Sequence, residues 1–325
     1  MNVLAWELRY FKVDRNSNEE YNSINILLAR CHVMEKVREE IVVPFNMNLR
    51  PGKDAVEYFG AFYDLLKSST NQTIVCDLRE YQYIHTSYAV LIASSIALGK
   101  HLGKRVVIRY DKANHKAVSF LSRSGLINPN TILGASSLDE SNVPIRCFKS
   151  LEETFETIQQ ILDYAPVQID SELSAVLISK IVEIFSNAFT HSCSEIGVFC
   201  CGFINDSNQF TFSVYDAGVG IPYNVRQYLK KGLSSKDALE WAFGQGNSTL
   251  NGRLDYPRGA GLNLLESFVG VNGGRIDLVS GDGYCRIDND QREFCNLSSS
   301  FIGTMFSMTI LADNNRIYRL KAKGE

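Results

Sequence analysis

The chain has 325 residues, of which 45% are hydrophobic and 21% charged, and its formal net charge is −3 at pH 7. This length and apolar content suit two domains, and the slight negative charge excludes long-range attraction to a phosphate backbone or an anionic membrane. Charges among the first ten residues and the lack of an apolar run of bilayer length predict a cytoplasmic protein without nucleic-acid or membrane partners.

The first part of the chain alternates predicted strands and helices. Buried strands are expected at residues 41–46, 73–78 and 106–110, and helical periodicity runs through 55–67, 87–102 and 114–124. This order predicts a small α/β sandwich. A stretch rich in Asn, Ser and Pro at 128–144 is the best domain boundary.

The second part of the chain predicts helices on one face of an antiparallel or mixed sheet. A long helix should begin near Ser171, where Asp-Ser-Glu-Leu offers capping side chains. The other expected elements are a connector helix at 150–164, a helix at 261–271, and strands at 196–204, 209–215, 275–279, 284–287 and 304–311. We therefore predict domains at 1–135 and 170–325, with a linker and connector helix at 136–169.

Three polar residues share one face of the predicted long helix. Glu183, Asn187 and His191 recur at four-residue intervals among apolar neighbours. An amide oxygen is a hard ligand for Mg²⁺, and a carboxylate can orient a hydroxyl or a water. A solvated polar stripe would have the same spacing. This motif alone leaves both interpretations open.

A predicted strand runs into Asp216, which two glycines follow. A carboxylate at a strand end can accept a hydrogen bond from an exocyclic amine, and Gly218 and Gly220 would let the backbone turn beside a flat ring. The alternative is an ordinary Asp-Gly turn. The immediate return to apolar residues at Ile221 favours a shaped pocket.

A glycine-rich segment precedes the helix predicted at 261–271. Gly259 and Gly261 would let phosphate oxygens approach free backbone N–H groups, where the helix dipole also favours negative charge. Leu262 is the first apolar residue of this helix. Arg258 adds a positive charge beside the helix N-terminus. The alternative is that Arg258 is a solvated loop residue. No Gly-Lys-Ser/Thr follows, so the segment is not a P-loop.

Taken in order, these motifs resemble the N, G1, G2 and G3 boxes of the GHKL ATPase superfamily, which includes gyrase, Hsp90, histidine kinases and MutL. The matching segments are Glu183 to His191, Asp216 to Gly220, Gly259 to Gly261, and Gly303 with Thr304. The resemblance covers about residues 170–312 and is closest to the anti-sigma-factor serine kinases. It implies a Bergerat-type two-layer α/β sandwich that binds ATP and Mg²⁺.

The resemblance also implies a role for each matching residue. Glu183 would be the general base or the water-orienting acid, Asn187 the Mg²⁺ ligand, and Asp216 the acceptor for the adenine amino group. Thr304 would support the adenine pocket. The remaining residues implied in nucleotide binding are His191, Gly218, Gly220, Ile221, Arg258, Gly259, Gly261 and Leu262. The loop-like segment at about 223–258 would be the lid over ATP.

Residues 41–126 resemble a STAS domain, the fold of the antagonists that anti-sigma-factor kinases phosphorylate. The match rests on a strand-loop-helix-strand-helix pattern and a closing Ser-Gly-Leu. It places Thr86, followed by Ser87, where the family carries a phosphorylatable hydroxyl, although both could simply cap the next helix. This chain has His85 where the family commonly has Asp.

Together the two resemblances imply an ATP- and Mg²⁺-binding regulatory protein with Ser/Thr kinase-like or slow ATPase activity. It would act as a nucleotide-dependent switch on a protein partner, which could be STAS-like, and it could form a homodimer. The alternative is an ATP-binding interaction module or a chaperone-like clamp without kinase activity. A standard histidine kinase is disfavoured. Such a kinase needs a phospho-accepting histidine on a dimerisation helix before its ATP domain, and no histidine lies between Lys116 and Phe189.

Overall fold

The computed structural model of the chain is a mixed α/β structure, which confirms the predicted fold class. It describes residues 40–45, 48–49, 52–81, 83–127, 142–205, 207–244, 261–288 and 291–320. The helices and strands fall into a first part up to residue 127 and a second part from residue 142.

The first part is built on a parallel sheet with the strand order β1-β3-β5, and β2 pairs with β4 in parallel. Its elements are β1 (Glu40–Pro44), β2 (Asn48–Leu49), α1 (Lys53–Ser68), β3 (Thr73–Asp77), β4 (Tyr83–Ile84), a 3-10 turn (Thr86–Tyr88), α2 (Ala89–His101), β5 (Arg105–Arg109) and α3 (His115–Arg123). α2 carries apolar residues on nearly all of its sides, as expected of a helix with no solvent-exposed face.

The second part is built on an antiparallel sheet with the order β10-β11-β9-β8-β6. Its strands are β6 (Val143–Phe148), β7 (Val167–Ile169), β8 (Val198–Ile204), β9 (Gln209–Asp216), β10 (Arg275–Asp288), β11 (Gln291–Leu311) and β12 (Asp313–Tyr318). Its helices are α4 (Phe155–Asp163), α5 (Ser171–His191), α6 (Ile221–Leu229), α7 (Ser235–Ala242) and α8 (Gly261–Asn272). β7 pairs with β12 outside the main sheet.

The five-stranded sheet is covered on both faces, because successive residues of a strand point to opposite sides. On one face, Phe212 and Val214 of β9 join a core with Phe185 of α5. On the other face, Tyr215 and Phe301 join a core that contains α1 and α2. The helices α1 and α2 therefore lie between the two sheets, and the first and second parts share one of the two cores.

The contact between α1 and β11 is close and specific. The Glu57 carboxylate accepts a hydrogen bond from the Ser298 amide at 2.9 Å, and the Ser299 hydroxyl donates to the Glu57 carbonyl at 3.3 Å. A Cβ added at Gly60 would lie 2.8 Å from the Ser300 carbonyl oxygen, which is closer than a real Cβ comes. A residue larger than glycine at position 60 would push this helix away from the sheet.

Two expectations about connecting segments need correction. The segment 136–169 is more than a linker and a connector helix, because β6 is an edge strand of the sheet and α4 packs against α5. The segment 223–258 is not loop throughout, since α6 and α7 occupy most of 221–242. Ser234 caps α7 by accepting from the Asp237 amide at 3.1 Å, and a left-handed Lys230 ends α6. Residues 245–258 lie outside the described ranges.

The helix α5 also corrects the expectation that no segment approaches the length of a membrane span. Among the described residues, this helix alone has the length and the apolar composition to cross a membrane. The core helix of a soluble protein can have the same length and composition. In α5, the Leu177, Ile181 and Phe185 side chains are buried against the sheet, which accounts for the apolar sequence.

Candidate functional site

One row of paired residues crosses three strands at the candidate site. Asp216 of β9 pairs with Thr304 of β11, and Thr304 pairs with Ser280 of β10. Strand alternation places this row on the α5 side of the sheet, because Val214 and Phe306, two residues away on the same strands, belong to that core. A carboxylate and two hydroxyls therefore line one edge of an otherwise apolar surface.

Asp216 is the one acid of this row, and its environment perturbs it strongly. Its side chain is 3% exposed, and its carboxylate accepts a hydrogen bond from the Gly218 amide at 3.0 Å. Burial raises the pKa of Asp216 to about 7, although hydrogen bonds from the Gly218 and Thr304 amides oppose that shift. The carboxyl group therefore changes its charge near neutral pH.

Three glycines allow the backbone around Asp216 to pack without side chains. A Cβ at Gly303 would lie 1.8 Å from the Asp216 carbonyl oxygen, and a Cβ at Gly218 would lie 1.9 Å from the Ser192 carbonyl oxygen. Gly220 and Gly303 have φ angles of +81° and +79°, a region that favours glycine. The loop that contains Gly218 is thereby held against the C-terminal end of α5.

Ser280 is a residue of this site that the sequence analysis missed. It is fully buried, and its hydroxyl lies 2.8 Å from the Ile221 amide, 3.0 Å from the Gly303 carbonyl oxygen and 2.9 Å from the Thr304 hydroxyl. A serine within an apolar strand has no sequence motif. Only its pairing with Thr304 reveals it.

The three predicted polar residues of α5 lie away from its buried face. Glu183 is 34% exposed and forms an ion pair with Lys180 at 3.4 Å, a partner that the sequence analysis did not identify. Asn187 is exposed, and His191 is half-buried. The Asn224 side chain donates to the His191 carbonyl at 3.0 Å and to the Gly220 carbonyl at 3.2 Å, which ties the end of α5 to the start of α6.

The predicted phosphate-binding segment is described only in part. Gly261 begins α8, which packs against α5, so the start of α8 belongs to the same layer of helices. Leu262 lies in the first turn of α8. Arg258 and Gly259 lie outside the described residues.

The two candidate phosphosites do not join this group. Ser87 is 3% exposed, and its hydroxyl lies 2.7 Å from His85 Nδ1. The 3-10 turn that carries Thr86 and Ser87 packs on β8 and β9 from the side of the first part, opposite the α5 layer. The sheet therefore separates both residues from Asp216.

His85 accepts a hydrogen bond at the start of the 3-10 turn. The Ser87 amide donates to His85 Nδ1 at 3.3 Å, so this nitrogen acts as an acceptor. Burial lowers the pKa of His85 to about 3, with a smaller contribution from Arg275. The imidazole is therefore neutral at pH 7 and accepts from the turn as a side-chain oxygen would.

Comparison with known proteins adds little to this geometry. No protein-family model and no curated protein matches the chain. Among solved structures, the histidine kinase domain from the Erythrobacter litoralis EL346 blue-light activated histidine kinase is a weak neighbour, with 16% sequence identity and a TM-score of 0.25 over 68% of this chain and 81% of that chain. A TM-score this low is insufficient to assign a fold or a function.

Proposed function

We propose that the second part of the chain binds ATP and Mg²⁺ where α5, the loop after Asp216 and β11 meet. The observation that carries this proposal is the row of Asp216, Thr304 and Ser280. Gly218 and Gly303 lie beside this row, where the backbone packs so closely that neither position has room for a side chain. A buried carboxylate beside hydroxyl groups suits the exocyclic amine and ring nitrogens of adenine. The resemblance of the four motifs to the GHKL boxes supports the same assignment.

The residues of α5 fit the phosphate end of such a ligand. Asn187 would hold Mg²⁺, and the bound ion would supply positive charge to the phosphates. Glu183 would orient the attacking water or hydroxyl, while Lys180 balances its charge at 3.4 Å. His191, Gly220 and Ile221 would border the nucleotide.

The start of α8 would receive the phosphates. A helix N-terminus with glycine at its entry offers free backbone N–H groups to anionic oxygens. The residues proposed for this role are Arg258, Gly259, Gly261 and Leu262.

The chain would then be a regulatory protein whose ATP site either hydrolyses ATP slowly or phosphorylates Ser or Thr on a protein partner. Phosphate transfer to Thr86 or Ser87 of the first part remains a prediction. Because Ser87 is buried and lies across the sheet from Asp216, transfer within one molecule would require the first part to leave the sheet. This separation disfavours phosphate transfer within one molecule. The second candidate function is a nucleotide-dependent clamp without kinase activity.

Incubation with γ-labelled ATP and Mg²⁺, followed by separation of labelled protein from free phosphate, tests the proposal. We expect wild type to bind ATP and to release phosphate slowly, whereas Glu183→Gln should bind ATP without releasing phosphate. An intact mass increased by one phosphate, on the chain or on an added STAS-like protein, would identify kinase activity. If calorimetry detects no ATP binding by wild type, the proposed function is wrong.

A further inference from the structure

The Ser280 hydroxyl lies at the centre of a hydrogen-bond network that includes Thr304, the neighbour of Asp216 in the paired row. It is fully buried and contacts the Ile221 amide, the Gly303 carbonyl and the Thr304 hydroxyl, all within 3.0 Å. A serine hydroxyl has one hydrogen to donate and two lone pairs that accept. Three partners therefore use its whole hydrogen-bonding capacity.

Only one arrangement of hydrogens satisfies every group in this network. The Gly303 carbonyl can only accept, so it must receive the Ser280 hydrogen. The Ile221 amide can only donate, and it occupies one lone pair of Ser280. The remaining lone pair is then filled by the hydrogen of the Thr304 hydroxyl. The opposite orientation would leave a backbone carbonyl without the hydrogen bond that Ser280 provides, which is unfavourable in a buried site.

We infer that Ser280 is a specificity-determining residue, because it fixes Thr304 as a hydrogen-bond acceptor beside Asp216. With its hydrogen committed to Ser280, Thr304 has only lone pairs left for a ligand. Ionised Asp216 also only accepts. The pair therefore selects a purine with an amino group at position 6 and rejects a purine with a carbonyl there, because buried acceptors facing a carbonyl would lack a donor. This inference rests on the proposed ATP site.

The test compares the affinities for ATP and inosine triphosphate, whose base carries a carbonyl at position 6. In Ser280→Ala the Thr304 hydroxyl is free to rotate and donate to that carbonyl. We expect the affinity ratio of ATP to inosine triphosphate to fall by about 3- to 10-fold, the effect of one neutral hydrogen bond. In Ser280→Ala/Thr304→Val no hydroxyl can donate, and this gain for inosine triphosphate should disappear.

Ser307→Ala is the matched control. Ser307 lies on β11, is 4% exposed, and its hydroxyl bonds to that of Ser213 at 2.8 Å, on the opposite face of the sheet. Its removal should leave the ratio unchanged. If Ser280→Ala weakens both nucleotides equally, Ser280 is only structural and the inference is overturned.

A second measurement applies if Ser280→Ala does not fold. Thr304→Val should weaken ATP by about 3- to 10-fold and leave the affinity for purine riboside triphosphate, which lacks the amino group, unchanged. Equal weakening of both nucleotides would overturn this inference but not the proposed function. A wild type that binds no adenine nucleotide would overturn the proposed function, and this inference with it.

Discussion

Asp216 shows how one buried side chain can combine structure and recognition. Its backbone joins three strands, and its carboxylate receives the amide hydrogens of Gly218 in the turn that follows and of Thr304 on β11. The desolvation that raises its pKa to about 7 also makes an added donor valuable, because each hydrogen bond to the ionised form offsets part of the burial penalty. A ligand amine would therefore bind the ionised form preferentially.

The first prediction is that nucleotide affinity falls at acid pH. In the protein without nucleotide, Asp216 takes up a proton below about pH 7. The protonated carboxyl is a poor hydrogen-bond acceptor, so a ligand that needs the ionised form must displace that proton. We expect affinity about tenfold lower at pH 6 than at pH 8, with proton release on binding near pH 6.5. Calorimetry in buffers of different ionisation enthalpy measures this release. Asp216→Asn should lose this proton release, which distinguishes the contribution of Asp216 from that of the ATP phosphates.

The second prediction distinguishes Glu183 from Asn187, which share one side of α5. Glu183→Ala should lower phosphate release by about 10²- to 10⁴-fold while ATP affinity is largely kept, because a positioned base acts on the reaction step. Asn187→Ala should abolish the Mg²⁺ dependence of binding. A phosphate-release assay measures the first effect, and ATP titrations with and without Mg²⁺ measure the second. If the two variants change only thermal stability, the residues form a solvated stripe.

At the scale of secondary-structure elements, the backbone of the loop after β9 packs closely against the backbone of β11 at Gly303. The third prediction is that Gly303→Ala lowers the free energy of unfolding by more than about 2 kcal/mol, because its Cβ would meet the Asp216 carbonyl oxygen and its φ is positive. Gly232→Ala is the control, since a Cβ there has nothing within 4 Å. Its effect should stay within about 0.5 kcal/mol in denaturant unfolding.

Elements with strong local signals could be predicted from the sequence. The long helix begins at Ser171 as predicted, where the Asp170 side chain accepts from the Leu173 amide at 2.8 Å. β6 was missed because its strand partner, β8, lies about fifty residues away, and local periodicity does not encode pairing at that distance. The helices α6 and α7 were missed because Gly220 and Ser234, residue types that suit a loop, here precede the two helices as their N-caps.

The candidate site was predictable only in part for a similar reason. Motif spacing identified Asp216 and Thr304, which the structure pairs directly. Ser280 and Lys180 belong to no motif and emerge from strand register and helix geometry. A signal for the doubly covered sheet was present in the sequence of β8, Val-Phe-Cys-Cys-Gly-Phe-Ile, because a strand without polar alternation is typical of burial on both faces.

At the scale of the whole molecule, the turn around His85 is part of the contact between the first part and the sheet. The fourth prediction is that His85 makes the free energy of unfolding decrease at acid pH. Its pKa is about 3 in the fold, below its ordinary value of 6.5, so the unfolded chain takes up the proton first and stability falls as pH drops below 6.5. Between pH 7 and pH 5, wild type should lose about 2 kcal/mol more than His85→Asn. Urea unfolding at both pH values measures the difference, and equal losses would contradict the prediction.

The doubly covered sheet also limits how this polypeptide can be divided. A gene fragment that encodes residues 142–325 without the first part would leave Phe199, Phe203, Tyr215 and Phe301 bare on one side of a five-stranded sheet. Such an apolar surface favours self-association. The complementary fragment would expose the matching sides of α1 and α2. We expect each half to precipitate alone and both to become soluble on co-expression, so that recombination of either half with foreign domains is disfavoured.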